Sequence, residues 1–183
     1  MIGPGGTGVL YGKKEYLEQM EPVRFGGGMV DQVGREDTTF GDIPYRFEAG
    51  TPNYPGSIAL AKAMEYLLSI GLDEIAVRED KLTIYLEERL RRIEGITIMG
   101  GSLPKHGVVS AAVEGVHPYD LASFLDKLGI AARSGSHCAQ PLLRSLGYEY
   151  VIRFSPAFYN TEEEIDILAD AMNRSVKILR KWS

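Results

Sequence analysis

Tyr150-Val-Ile-Arg-Phe154, followed by Ser155-Pro-Ala-Phe-Tyr-Asn160 and then Thr161-Glu-Glu-Glu164, decides the architecture of this chain. A short apolar run bounded by turn residues predicts a strand. Thr161 and Glu164 stand at capping-box spacing, so a helix starts there. Ile165, Leu168, Met172, Val176 and Leu179 give that helix one continuous apolar stripe. A strand feeding a one-faced helix calls for a helix packed on a sheet.

The same alternation extends upstream. His117-Pro118 opens a helix with Leu121, Phe124, Leu125 and Leu128 that stops at Gly129. Ile130-Ala-Ala132 predicts a short strand, and residues 142–146 a short helix. Residues 96–99 and 108–113 predict two strands joined through Gly100-Gly-Ser-Leu-Pro104. Asp73 is placed to cap a helix carrying Ile75, Leu82, Leu86, Leu90 and Ile93, which Gly95 ends. A further helix with Ile58, Ala61 and Leu68 fits between Pro55 and Gly71. Residues 73–183 therefore predict a small α/β domain, helices on a sheet. Residues 1–72 add that one helix, a strand at Val9-Leu-Tyr11, helical character over 13–20 and a long polar loop over 31–42. They are expected to belong to a larger domain.

Bulk properties bound the function. The chain has 183 residues, 44% apolar and 25% charged, enough to bury a core. A formal charge of −5 argues against nucleic acid as a partner. No apolar run approaches a membrane span. One cysteine excludes an internal disulfide, and with no leader motif the expectation is a cytoplasmic protein. Three scattered histidines and one cysteine give no metal-ligand spacing, so no metal site is expected.

That cysteine lies in Arg133-Ser-Gly-Ser-His-Cys138-Ala-Gln-Pro141, with Arg153 fifteen residues on. A useful thiol needs an exposed, electropositive setting. Arg133 and His137 are candidates to supply one, and Arg153 offers a planar fork suited to a carboxylate. The competing reading is a buried Cys138 acting as a small hydrophobe.

Five blocks occur in a familiar order: Gly3-Pro-Gly-Gly-Thr-Gly-Val-Leu-Tyr-Gly12, Phe25-Gly-Gly-Gly28, Arg46-Phe-Glu-Ala-Gly-Thr-Pro-Asn53, the Cys138 segment, and Arg153 through Thr161. Together they resemble the cysteine desulfurases of the Suf type, in the class V aminotransferase group of pyridoxal-phosphate (PLP) enzymes. The resemblance implies a fold-type-I architecture: the tail of a large PLP-binding domain over 1–72 and the small C-terminal domain over 73–183. It implies removal of sulfur from L-cysteine to give L-alanine and an enzyme persulfide, used for example in iron–sulfur cluster assembly. On this likeness Cys138 matches the nucleophile and Arg153 the substrate-carboxylate ligand. Gly50 and Thr51 match positions that contact the PLP phosphate across a dimer. Arg133 and His137 match supporting positions. Many relatives have a second histidine where this chain has Ser136, and Gly26-Gly-Gly28 matches a loop at the active-site mouth.

The resemblance also implies absences. The lysine that holds PLP covalently in the family precedes the segment matching Met1-Ile-Gly-Pro4, as do the groups that hold the cofactor ring and most of its phosphate. The polypeptide alone is thus expected to hold no covalent PLP and to be inactive. A companion N-terminal chain, a homo-oligomer and a sulfur-acceptor protein are the expected partners. Selenocysteine lyase activity, a stand-alone persulfide carrier and a non-catalytic interaction domain stay open beside the desulfurase reading.

Overall fold

Helices and short strands alternate through most of the chain in a computed structural model that describes residues 2–181. The chain divides into two compact units, Met1–Ile70 and Gly71–Ser183.

The second unit is built on a four-stranded antiparallel sheet of order β3-β4-β6-β5. Its strands are β3 (Ile96–Ile98), β4 (Val109–Val113), β5 (Arg133–Gly135) and β6 (Val151–Phe154). Helices α3 (Leu72–Arg91), α4 (Pro118–Asp126) and α6 (Glu162–Leu179) cover one face. Leu82, Leu86, Leu90, Leu121, Leu125, Ile152, Phe154, Met172 and Val176 form the core between helices and sheet. Because side chains alternate along a strand, Val151 and Arg153 face the other way. There the short helix α5 (Gln140–Ser145) contributes Leu143, which packs with Ala112 and Val151 in a smaller cluster. One face is thick and sealed; the other is thin, and the candidate site lies on it.

Local chemistry accounts for the ends of these elements. Thr161 accepts from the Glu164 N–H while the Glu164 carboxylate accepts from the Thr161 N–H, the reciprocal capping box expected at α6. The Asn160 amide and, second to it, the Thr161 N–H hold the Glu164 carboxyl below the usual carboxylate range. Thr161→Ala should cost about 1 kcal/mol. It should be read as a lower urea midpoint for the second unit at an unchanged m-value. At the far end of the helix the Arg180 guanidinium donates to the carbonyls of Glu94 and Glu114. Gly95 sits there at φ +73°, left-handed backbone that favours glycine, and a Cβ on it would displace the end of the Arg180 side chain.

The first unit is sparse. It holds the four-residue helix α1 (Lys14–Leu17), the hairpin β1 (Val30–Val33) and β2 (Thr38–Phe40), a 3₁₀ turn at Tyr45–Phe47, and α2 (Tyr54–Ile70). Met29 and Leu60 are its buried apolar side chains, with Pro22. Val9, Leu10, Tyr11, Val23, Phe25, Ile58 and Leu68 are exposed, Val23 to 92%.

Several expectations are corrected. Residues 9–11 form no strand, because no neighbouring strand pairs with them. The stretch 31–42 is largely a bulged hairpin, turned by a 2.7 Å hydrogen bond from the Gly34 N–H to the Asp37 carbonyl. Asp73 lies in the first turn of α3, where Gly71 takes the cap position with no side-chain hydrogen bond. The strand expected at 130–132 begins at Arg133, where the β6 ladder offers a partner.

Candidate functional site

Two antiparallel strands set the site's geometry. In the β5–β6 ladder Arg133 is paired with Arg153, Ser134 with Ile152, and Gly135 with Val151. On the other side of β6, Ser110 of β4 is paired with Arg153. Directly paired residues project to the same face with Cβ atoms about 5 Å apart. Two guanidinium-bearing side chains therefore rise side by side from the thin face, with a hydroxyl next to them. Like charges so placed repel, yet no carboxylate among the described residues forms an ion pair with either one. Arg153 is half-buried, and its Nε is closed off from solvent without a hydrogen-bond partner. A carboxylate-sized anion would satisfy both forks.

The chain leaves β5 through Gly135, a buried residue at φ +134°. A Cβ there would sit 3.3 Å from the Tyr119 hydroxyl, so a side chain would crowd this exit. Tyr119 belongs to a mutual cluster with His117 and Tyr150, ring centroids 5.4 to 5.8 Å apart. His117 caps α4, accepting weakly from the Tyr119 N–H at 3.4 Å.

Beyond Gly135 the chain folds back in a two-residue turn. The Ala139 N–H donates to the Ser136 carbonyl at 2.9 Å, and both central residues are left-handed, His137 at φ 52° and Cys138 at φ 59°. This is the arrangement of a type I′ turn, which favours Asn-Gly. Neither His nor Cys prefers it, and left-handed backbone costs a non-glycine residue about 1–2 kcal/mol. The strain has a visible product: the thiol of Cys138 is exposed. The reading of this cysteine as a buried small hydrophobe is therefore excluded.

His137 goes the other way. Its Nε2 lies 3.2 Å from the Val151 carbonyl oxygen, and its Nδ1 is closed off from solvent without a partner. Burial, and secondarily the charges of Arg153 and Arg133, push the imidazole below its ordinary value; the Val151 bond acts in the opposite sense. The β5–β6 ladder thus pairs Arg133 with Arg153 at one end, and the turn that carries His137 and Cys138 leaves it past Gly135 at the other, with His137 near enough to feel both arginine charges. Ser110 and Tyr119 were not foreseen, since only the strand register and the Gly135 exit reveal them.

Gly50 and Thr51 lie in the first unit. Gly50 is exposed at φ +87°, with no atom within 4 Å of a Cβ built on it. Its N–H already donates to the Gly27 carbonyl at 2.8 Å. A Cβ on Gly26 would approach the Gly50 nitrogen to 3.3 Å, so the glycine triplet seats this turn. Among the described residues no hydrogen bond engages Thr51, whose N–H and hydroxyl precede the start of the long helix α2 by three residues. Two open donors near a helix N-terminus are suitable chemistry for a phosphate. The donor set here is Thr51's, while Gly50 supplies the shape. No group of three or more His, Cys, Asp or Glu among the described residues is arranged to hold a metal ion, and no helix is long and apolar enough to cross a membrane.

The sheet-and-helix frame, with a cysteine turn leaving a ladder that pairs two arginines, has a clear family. The chain belongs to the class V aminotransferases, whose family model matches residues 1–168. It is similar to a probable cysteine desulfurase of Halalkalibacterium halodurans, with 48% identity over 175 residues that cover 96% of this chain and 43% of that one. Among solved structures, the cysteine desulfurase CsdA of Escherichia coli superposes with a TM-score of 0.90 at 37% identity, over 96% of this chain and 44% of that one. The cysteine desulfurase of Thermococcus onnurineus superposes with a TM-score of 0.89 at 40% identity. The chain thus spans less than half the length of these relatives.

Proposed function

We propose that this chain is the sulfur-accepting part of a PLP-dependent cysteine desulfurase. The observation that carries the reading is an exposed thiol on a strained turn that leaves a short ladder on which two guanidiniums are paired with no acidic partner. Arg153, with Arg133 beside it, binds the carboxylate of substrate cysteine and so brings the substrate sulfur toward the turn. The thiolate of Cys138 is the reacting form. It attacks that sulfur; an S–S bond forms as the substrate C–S bond breaks, and the electron pair of the broken bond stays with the substrate carbon. After proton uptake the sum is cysteine plus thiol giving alanine plus persulfide, with no external oxidant. PLP, when bound, supplies the electron sink that makes the substrate's C–S bond labile. On this chain, Thr51 on the Gly50 turn would contribute to holding its phosphate. The exposed apolar surface of the first unit receives further polypeptide, and Cys138 hands its sulfur to an acceptor protein.

The test pairs two preparations. The chain alone, given PLP and cysteine, is expected to show neither the visible absorbance of protein-bound PLP nor sulfide release. Expressed together with the remaining, lysine-bearing length of a relative, it should release alanine and gain one sulfur on Cys138 by mass spectrometry. Turnover by the isolated chain would overturn its incompleteness. Alanine release with no sulfur on Cys138 would overturn the nucleophile. Ready loading of Cys138 by a small persulfide donor, with no alanine in either preparation, would favour a carrier instead.

A further inference from the structure

His137 is the one side chain of the cysteine turn that reaches back into the fold. Its Nε2 meets the Val151 carbonyl at 3.2 Å, beside the Gly135–Val151 pair that ends the β5–β6 ladder. A carbonyl oxygen only accepts, so Nε2 carries the proton. In the neutral ring Nδ1 is then a bare lone pair, shut away from solvent and without a donor. A general base for Cys138 would need Nδ1 within reach of the thiol, and no hydrogen bond joins the two. The ring is built as an anchor.

We propose that His137 is the positioning residue of the Cys138 turn: its neutral ring, pinned to the Val151 carbonyl, holds two adjoining residues in left-handed backbone and keeps the thiol turned outward. This deepens the reading of Cys138 as the sulfur nucleophile and rests on it. Neither residue of the turn prefers its conformation, so the turn needs an external tie, and the Val151 bond supplies it. The charged groups facing the ring are Arg133 from β5 and Arg153 from β6. A second proton on the imidazole would place a buried N–H donor with no acceptor in the field of two cations. Protonation is therefore disfavoured in the anchored state and favours release of the ring into water. The sign follows: a base with a folded pKa below its ordinary 6.5 contributes stability that is present above that value and lost as the pH falls through the folded one. The device holds the turn at neutral pH and loosens it in acid.

Amide hydrogen exchange at Ala139, whose N–H closes the turn, reads this directly, expressed as protection relative to an unstructured amide at each pH. Wild type should be protected above pH 6.5 and lose protection below it. H137A should exchange roughly five- to tenfold faster at neutral pH. H137Q, which keeps a donor near the Nε2 position but does not titrate, should retain protection at both ends of the range. Amides of α6 serve as the folding control, since they lie in the main core. In parallel, the reaction of Cys138 with 4,4′-dithiodipyridine, which proceeds in acid, should show in wild type a second inflection beyond the thiol's own ionisation. H137Q should lack that inflection. Wild-type protection of Ala139 in a folded H137A would overturn the proposal, as would an inflection that survives in H137Q. These measurements use no substrate or cofactor, so they can fail while the desulfurase reading stands, and the reverse holds equally.

Discussion

Arg153→Gln in the complete enzyme is expected to lower kcat/KM for cysteine by about tenfold to a hundredfold, with most of the loss in KM. Charge-assisted, bidentate hydrogen bonds to a carboxylate contribute roughly 1.5–3 kcal/mol, which spans that range. The reason to expect the high end is the site's arrangement. Arg153 is half-buried, its Nε has no partner within the protein, and Arg133 stands directly opposite, so its donors are free for a ligand. Arg153→Lys keeps the charge and loses the planar fork, and should fall between wild type and Gln. A second consequence is opposite in sign. Removing one of two like charges paired across a ladder relieves repulsion, so the Gln variant should unfold at an equal or slightly higher urea concentration. Lower activity with retained or improved stability is the signature of a group positioned for a ligand. An unchanged kcat/KM, or a loss that tracks unfolding, would remove Arg153 from the substrate site.

How much of this was legible in sequence depends on the kind of information each feature needs. Helices α2, α3, α4 and α6 follow from apolar spacing and end signals, which are local. The capping box at Thr161 is local as well, and its two hydrogen bonds form as expected. Strand placement is less so. Residues 9–11 have the composition of a strand but gain no ladder partner, whereas β1 and β2 pair although their side chains are mostly exposed and show no clean alternation. Pairing is a property of two segments, and a one-segment pattern does not report it. The candidate site shows the same division. Cys138, Arg133 and Arg153 stand out as residue types in a motif. That Arg133 faces Arg153 depends on register across the segment between them, and that His137 and Cys138 adopt left-handed backbone contradicts local preference. Such contradictions are where function and fold compete, and a turn that presents a thiol is a suitable place for one.

Limited trypsin digestion of the chain alone should cut the first unit rapidly and leave a resistant fragment that begins near Gly71 and retains Cys138. The two units differ in what holds them. The second encloses a continuous core on α3, α4, α6 and one face of the sheet, with Leu90, Leu125 and Met172 fully buried. The first buries Met29 and Leu60 while leaving Leu10 81% and Phe25 70% exposed. Met29, Leu60 and Pro22 do not offset the conformational entropy of ordering that length of chain. Its backbone opens cheaply, and Arg24, Arg35 and Lys14 become substrates, whereas cleavage within α3 requires unfolding of the second unit. The same surface predicts self-association of the isolated chain at raised concentration. Adding the polypeptide that completes the relatives' length should suppress both effects, since the exposed apolar groups would then be covered. Equal resistance at Arg24 and Arg89 in the isolated chain would show that the first unit is stable unaided, and the need for a covering partner would fall with it.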